Sequence, residues 1–177
     1  MVLAPEYLAD DTVDDALDAE IRTLLTTCFT KPQDVVFKDH RYFKEPYQHR
    51  WVIKNEKGAL VAQAGVHDKQ IQADGTTYRI AGIGDVCVHP AYRGRGYVRM
   101  MLKCIHDWAP RQGFDFAVLF GDPKVYGSSG YVHISNLFRD AEQPGGGTCR
   151  KQISAMVRQL SGTPWPGGEV FLPGKSF

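Results

Sequence analysis

The stretch VCVHPAYRGRGYVRMML, Val86–Leu102, constrains the fold of this chain more than any other. An apolar strand runs into Pro90, then Arg-Gly-Arg-Gly, then a helix. Two glycines at the mouth of a helix weaken it, and two arginines stand at the end where the helix dipole is already positive. An anion at this turn accounts for both. The first turn of a helix leaves backbone N–H groups unpaired. Gly94 and Gly96 let a ligand approach the main chain, and Arg93, Arg95 and Arg99 add full charges. A phosphate or pyrophosphate suits all three features; a solvated basic loop is the plainer alternative. A dinucleotide fingerprint would need a third glycine where Arg99 stands, and a Walker loop would need Gly-Lys-Ser/Thr, which is absent.

The flanking segments place this turn in a fold. Val98, Met101, Leu102, Ile105, Trp108 and Ala109 form the stripe of an amphipathic helix that Gly113 ends. FDFAVLF, Phe114–Phe120, is nearly continuous in apolar residues, as a strand buried on both faces is. Strand, loop, helix, strand is a β-α-β crossover, which predicts Val86 and Leu119 on neighbouring parallel strands. Upstream, Trp51–Lys54, Leu60–Gln72 and Thr77–His89 are separated by turns at Asn55–Gly58 and ADG, predicting an antiparallel meander. Val13, Leu17, Ile21, Leu24 and Cys28 mark a first helix, with Thr12 and Asp15 spaced as a capping box. Its acidic outer face reads as solvated. Lys31–Arg50 is a long aromatic and charged loop. A short helix around Lys124–Ser129, a strand Tyr131–Leu137, a flexible Gln143–Thr148 loop, a helix around Lys151–Leu160 and a short strand Glu169–Leu172 complete the reading. The class is α+β: a mixed central sheet, antiparallel at its N-terminal side, flanked by helices. No linker or repeat divides it, so a single domain over 1–177 is expected.

Bulk composition narrows the partners. The chain has 177 residues, 43% of them hydrophobic, enough for a real core. Its 21 basic and 20 acidic residues nearly cancel, which argues against general nucleic-acid binding or a polybasic membrane contact. No apolar run approaches the ~20 residues of a bilayer span, and the acidic N-terminus lacks a signal-peptide plan; a cytoplasmic location follows as the expectation. The four cysteines and six histidines are scattered without metal-ligand spacing, so no metal is assigned and the thiols are read as reduced.

With these residues in view, DVCVHPAYRGRGYVRMML resembles the acyl-CoA-binding segment of the GNAT family of N-acetyltransferases, whose R/Q-x-x-G-x-G/A motif binds the coenzyme A pyrophosphate. The order of elements is similar from about Asp10 to Leu137, and FGDPKVYGSSGYVHI resembles the family's short helix after the fifth strand. Two positions depart: Val98 replaces the final Gly or Ala, and Arg99 is bulky where a small residue is common, either reaching a phosphate or pointing to solvent. The resemblance implies a GNAT fold with a splayed parallel strand pair, and acetyl-CoA as co-substrate. It implies backbone groups of Val86 and Val88 on the pantetheine arm, and Arg93, Gly94, Arg95, Gly96, Tyr97, Val98 and Arg99 around the pyrophosphate.

Aminolysis of a thioester needs a proton removed from the amine and favours one given to the leaving thiolate. The resemblance places Tyr126 as that acid, with a packed tyrosine as its plainer reading. Asp85 is the candidate base, on the strand face shared with Cys87 and His89 if alternation holds, or else a carboxylate hydrogen-bonded within the meander. Cys87 and Cys104 read as core residues rather than acyl carriers. The layout of Leu60–Lys103 and the WPGGEVFLPGKSF ending resemble the aminoglycoside 2′-N-acetyltransferases. Asp39, Tyr42, Glu45, Asp122 and Phe177 are candidate acceptor-site residues. The mixture of these acids with Lys38, Arg41, Lys44 and His49 suits a less cationic amine such as kasugamycin. Protein, peptide or polyamine acetylation and a non-catalytic acyl-CoA-binding module are the alternatives, and a homodimer is what the family implies.

Overall fold

The computed structural model describes residues 3–177; Met1 and Val2, which open the acidic N-terminal stretch, lie outside the described residues. The chain forms two compact units: Met1–His67 with Ile83–Asp107, and Asp68–Gly82 with Trp108–Phe177. Two long strands, β3 (Leu60–Ala73) and β4 (Thr76–Val88), contribute to both.

In the first unit, β1 (Glu6–Ala9) pairs antiparallel with β2 (His49–Lys54), and β2 with β3. The meander read from the sequence is therefore present, with β1 added to it. The β2–β3 turn closes on Asn55, whose side-chain oxygen accepts from the Lys57 and Ala59 amides at 2.9 Å each. Helix α1 spans Asp15–Cys28. Its cap is Asp14, which accepts from the Leu17 amide at 2.8 Å, and not the expected Thr12, whose hydroxyl donates to the Ala9 carbonyl at 2.7 Å. A free Asp carboxylate is the stronger acceptor for the helix-end amides. The buried face of α1, Ile21, Leu24 and Leu25, packs with Phe37, Val52, Leu60 and Cys87. The long loop after α1 contains a 3₁₀ segment over Pro32–Lys38. Helix α2, Tyr97–Trp108, buries Met101, Leu102 and Ile105 of the expected stripe together with Tyr97, which is not part of it, while Val98 and Trp108 are half-buried.

In the second unit, the β3–β4 hairpin turns at Asp74 and Gly75, both with positive φ, as a two-residue turn between twisted strands requires. The fully buried β5 (Phe116–Leu119) pairs antiparallel with β7 (Thr148–Gln159), β7 with β6 (Val132–Glu142), and β6 runs parallel to β8 (Val170–Phe171). The sheet is therefore mixed. One expectation is corrected here. Lys151–Leu160 is not a helix but most of β7, because Ala155, Met156 and Val157 are buried together between two partner strands. The loop read at Gln143–Thr148 is exposed and joins β6 to β7 as a hairpin turn, closed by the Gln143 amide on the Gly147 carbonyl at 3.0 Å. The core joins Ile71, Ile80, Phe116, Val118, Leu137 and Val157.

Candidate active site

In the first unit, the Arg-Gly-Arg-Gly turn opens α2. Gly94 and Gly96 have φ of +76° and +78°, and nothing lies within 4 Å of where a Cβ would stand on either. The space in front of the turn is open and the backbone is bare, so the residues fit an anion such as a pyrophosphate. The first helical bond of this turn runs from the Met100 amide to the Gly96 carbonyl at 3.0 Å, and the amides before it lack an intrahelical acceptor. Arg93, Arg95 and Arg99 are exposed. Arg93 donates to the Val88 carbonyl at 3.2 Å, and the Arg95 guanidinium lies over the Tyr92 ring at 4.8 Å. A cleft of about 460 Å³ adjoins the turn, lined by Asn55, Tyr92, Arg95 and Tyr97 among others. Val98, one of the two departures from the motif, is half-buried.

Asp85 sits in a left-handed backbone conformation, φ +49°. Strict alternation along β4 is interrupted there, and the shared strand face expected for Asp85, Cys87 and His89 does not follow from pleating. The residue is embedded in polar groups. Its carboxylate accepts from the Phe43 amide at 3.2 Å and from the Tyr47 hydroxyl. Its own carbonyl accepts from the Gln63 side chain. Gln63 is fully buried and accepts in turn from Arg50, which is also fully buried and donates to Asp10 at 2.7 Å. Arg50 further donates to the Arg41 carbonyl at 3.1 Å, and Arg41 donates to Asp10 and Asp18. Burial pushes the Asp85 carboxyl above its ordinary range, partly offset by the Tyr47 hydrogen bond and the Arg50 charge. Burial, reinforced by the Asp85 charge, drives the Tyr47 phenol well above its ordinary value, so Tyr47 remains a donor. For Asp18, burial would raise the carboxyl, but hydrogen bonds from Arg22 and Arg41 outweigh it and hold it low. Gly65 makes this packing feasible: a Cβ there would come within 2.6 Å of the Tyr47 ring, which stacks on His67 at 4.1 Å.

The structure thus ties the candidate Asp85 to the loop carrying Asp39, Tyr42 and Glu45. Asp39 is exposed at the end of the 3₁₀ segment, and Tyr42 stacks on His40 at 5.2 Å. Sequence reasoning did not single out Tyr47, Arg50 or Gln63. The available signal was an arginine and a glutamine inside the apolar strands HRWVIK and LVAQAGV. A polar side chain buried in such a strand requires partners.

In the second unit, the short helix α3, Pro123–Tyr126, is capped by Asp122, which accepts from the Lys124 amide at 2.8 Å. Tyr126 is half-buried, packed on Gly121 and edge-on to Tyr131 with centroids 6.2 Å apart. Burial raises the Tyr131 phenol, and the nearby Arg158 guanidinium opposes that rise. Arg158 donates to the Ser129 carbonyl at 2.6 Å and braces the turn after α3. The Phe177 ring packs on Gly82 and lies 5.0 Å from Phe120.

Among the described residues, no group of three or more His, Cys, Asp or Glu could hold a metal, and no helix is long and apolar enough to cross a membrane.

The chain matches the Acetyltransferase (GNAT) domain family over residues 11–134, a span that includes α1, the Arg-Gly turn, Asp85 and Tyr126. Its fold is similar to that of YhbS, a GNAT family N-acetyltransferase from Escherichia coli solved in complex with CoA. Identity there is 17%, the TM-score is 0.69, and the match covers 98% of this chain and 91% of that one. It is similar also to a GNAT family acetyltransferase from Brucella melitensis in complex with acetyl-CoA, at 17% identity, TM-score 0.60 and 94% of each chain. ElaA from Escherichia coli matches at 16% identity and TM-score 0.60, over 89% of this chain and 100% of that one. No curated protein sequence matches the chain. The motif, the mixed sheet and a family match over most of the length lead to one assignment: the chain belongs to the GNAT family and is an acetyl-CoA-dependent N-acetyltransferase.

Proposed function

We propose that the protein acetylates a primary amine of a small molecule, the 2′-amine of an aminocyclitol antibiotic of the kasugamycin type, by direct transfer in a ternary complex. The observation that carries direct transfer is the Asp85 carboxylate, half-buried, hydrogen-bonded to Tyr47, and linked by the Phe43 amide to the 39–48 loop. A raised carboxyl is a better base near neutral pH than an ordinary one.

Acetyl-CoA supplies the activated acyl group. The open main chain of Gly94–Val98 and the arginines beside it hold the pyrophosphate, with Val86 and Val88 offering backbone groups to the pantetheine arm. Asp85 takes the proton of the incoming ammonium, and Tyr126 gives one to the departing thiolate. The acceptor class is supported by the charges of the loop. Asp39 and Glu45 stand among Lys38 and Lys44, while Arg41 is engaged by Asp10 and Asp18. A mixed surface of this kind suits an amine that also bears a carboxylate better than a polycation.

The test is thiol release from acetyl-CoA in the presence of kasugamycin, gentamicin or spermidine. Kasugamycin is expected to turn over best. Turnover of spermidine alone overturns the antibiotic assignment, and acetyl-CoA binding without release on any amine overturns catalysis in favour of an acyl-CoA-binding module.

A further inference from the structure

Gln63 stands fully buried in β3 between Ala62 and Ala64, at a position where a carboxamide without partners would cost stability. Both of its ends are used. The side-chain oxygen accepts from the Arg50 guanidinium, and the side-chain nitrogen donates to the main-chain carbonyl of Asp85 on the neighbouring β4. A guanidinium only donates and a carbonyl only accepts, so the amide has one orientation. The carbonyl it serves belongs to the residue at φ +49°, where β4 leaves its pleat. That departure is local: the His89 amide again meets the Val61 carbonyl of β3 at 2.8 Å.

Arg50 holds Gln63 in turn. It donates to Asp10 at 2.7 Å and to the Arg41 carbonyl at 3.1 Å, and its guanidinium lies over the Tyr47 ring at 5.2 Å. These bonds close a ring. From the Arg41 carbonyl it runs through Arg50 and Gln63 to the Asp85 carbonyl. From the Asp85 carboxylate it returns through the Phe43 amide at 3.2 Å, two residues after Arg41. Asp85 is gripped twice, by Gln63 at its main chain and by the 39–48 loop at its side chain.

We propose that Gln63 is a positioning residue for acetyl transfer: oriented by Arg50, its carboxamide holds Asp85 in the left-handed backbone and so aims the carboxylate at the acceptor loop. Being fully buried, Gln63 acts through Asp85. Without this bond the Asp85 peptide is free to turn, and a displacement of about 1 Å at a reacting group costs about 100-fold in rate. The effect on rate rests on the reading of Asp85 as the base; the aim of its carboxylate does not.

The experiment compares the full-length protein with Gln63→Glu and Gln63→Met, each alone and in the Asp85→Asn background. Gln63→Glu keeps an acceptor for Arg50 and, ionised, has no proton for the Asp85 carbonyl. Gln63→Met removes both bonds at similar volume. Two quantities are read: amide hydrogen exchange by NMR, which needs no substrate, and thiol release from acetyl-CoA with kasugamycin, gentamicin or spermidine. In both variants the Phe43 amide should exchange about fivefold faster, the loss of one ordinary hydrogen bond, while the His89 amide keeps its protection. The kcat should fall about 10- to 100-fold at an unchanged KM for acetyl-CoA. In the Asp85→Asn background the same substitutions should add little to the loss. Phe43 exchange at the wild-type rate, or an undiminished further loss of kcat on top of Asp85→Asn, overturns the positioning role while the Asp85 reading stands. Equal loss of protection at Phe43 and His89 marks a residue that only holds the strands together, and overturns it too. Wild-type kcat in Asp85→Asn overturns the base instead, and the Phe43 exchange then decides alone whether Gln63 aims that side chain.

Discussion

The backbone amide of Phe43 donates to the Asp85 carboxylate at 3.2 Å, so one hydrogen bond joins the 39–48 loop to the strand that precedes the Arg-Gly turn. The proposed base and the proposed acceptor loop are therefore one mechanical unit.

Replacing Asp85 by Asn separates chemistry from stability. Asn accepts from the Phe43 amide and tolerates the left-handed backbone, so the fold keeps its geometry. The rate should fall about 10²- to 10³-fold. Because the folded carboxyl is raised, the folded state binds its proton more tightly than the unfolded chain does. Asp85 thus favours folding at low pH, and that contribution is lost as pH rises through the folded value. Asp85→Asn should raise the thermal midpoint at pH 7, with the gain shrinking toward pH 4. A pH series of melting curves checks it, and a gain that grows toward low pH contradicts the assignment.

Tyr47→Phe removes a hydrogen bond that stabilises the ionised form of Asp85. Burial then acts with less opposition and the carboxyl rises further. The acid limb of the kcat/KM profile should move to higher pH while the alkaline limb stays. An unchanged acid limb would separate Asp85 from the observed base.

Gly96→Asp places a negative charge where a pyrophosphate would sit. The site has room for the side chain, Asp is among the residues that adopt positive φ, and a carboxylate suits a helix N-terminus. Folding by circular dichroism should survive, and acetyl-CoA affinity by calorimetry should fall about 100-fold or more through charge repulsion and lost backbone access.

Tyr126→Phe keeps the edge contact with Tyr131 and deletes the phenol. It should lower kcat about 10- to 100-fold at an unchanged KM for the amine, since only the departing thiolate loses a partner. Single-turnover kinetics with wild-type rates would remove Tyr126 from the reaction.

Arg50→Met leaves the buried Asp10 carboxylate short of a partner and Gln63 without its donor. Breaking such a pair costs about 3–5 kcal/mol, readable as a lower urea midpoint. Asp10→Leu in the same chain should recover part of that loss, because it removes the buried carboxylate that is left with Arg41 as its remaining charged partner.

The stretch from Val86 to Phe120 was legible because each part carries its own signal: a proline stop, glycines at a helix mouth, a stripe at helical spacing and a continuous apolar strand. β7 was not. Ile153, Met156 and Val157 also fit helical spacing, and a strand end covered on both faces loses the alternation that would distinguish it. β1 has only four residues, half of them exposed, and is defined by its partner β2 rather than by its own sequence. At the candidate site, Asp85 was found through the motif next to it. Tyr47, Arg50 and Gln63 belong to it through tertiary hydrogen bonds among residues up to 42 positions apart, as Phe43 does, and no local pattern encodes that convergence.

The φ of +49° at Asp85 has an evolutionary consequence. Glycine and asparagine are the residues that occupy this backbone region at low cost, and neither can take a proton from an amine. Glutamate retains the acid but is less suited to the left-handed region, and its longer side chain would carry the carboxylate past the Phe43 amide. With Asp85 as the proposed base, the mutations that this position tolerates structurally are those that would silence the enzyme, and drift here would lead to folded, inactive descendants rather than to a gradual exchange of one carboxylate for another.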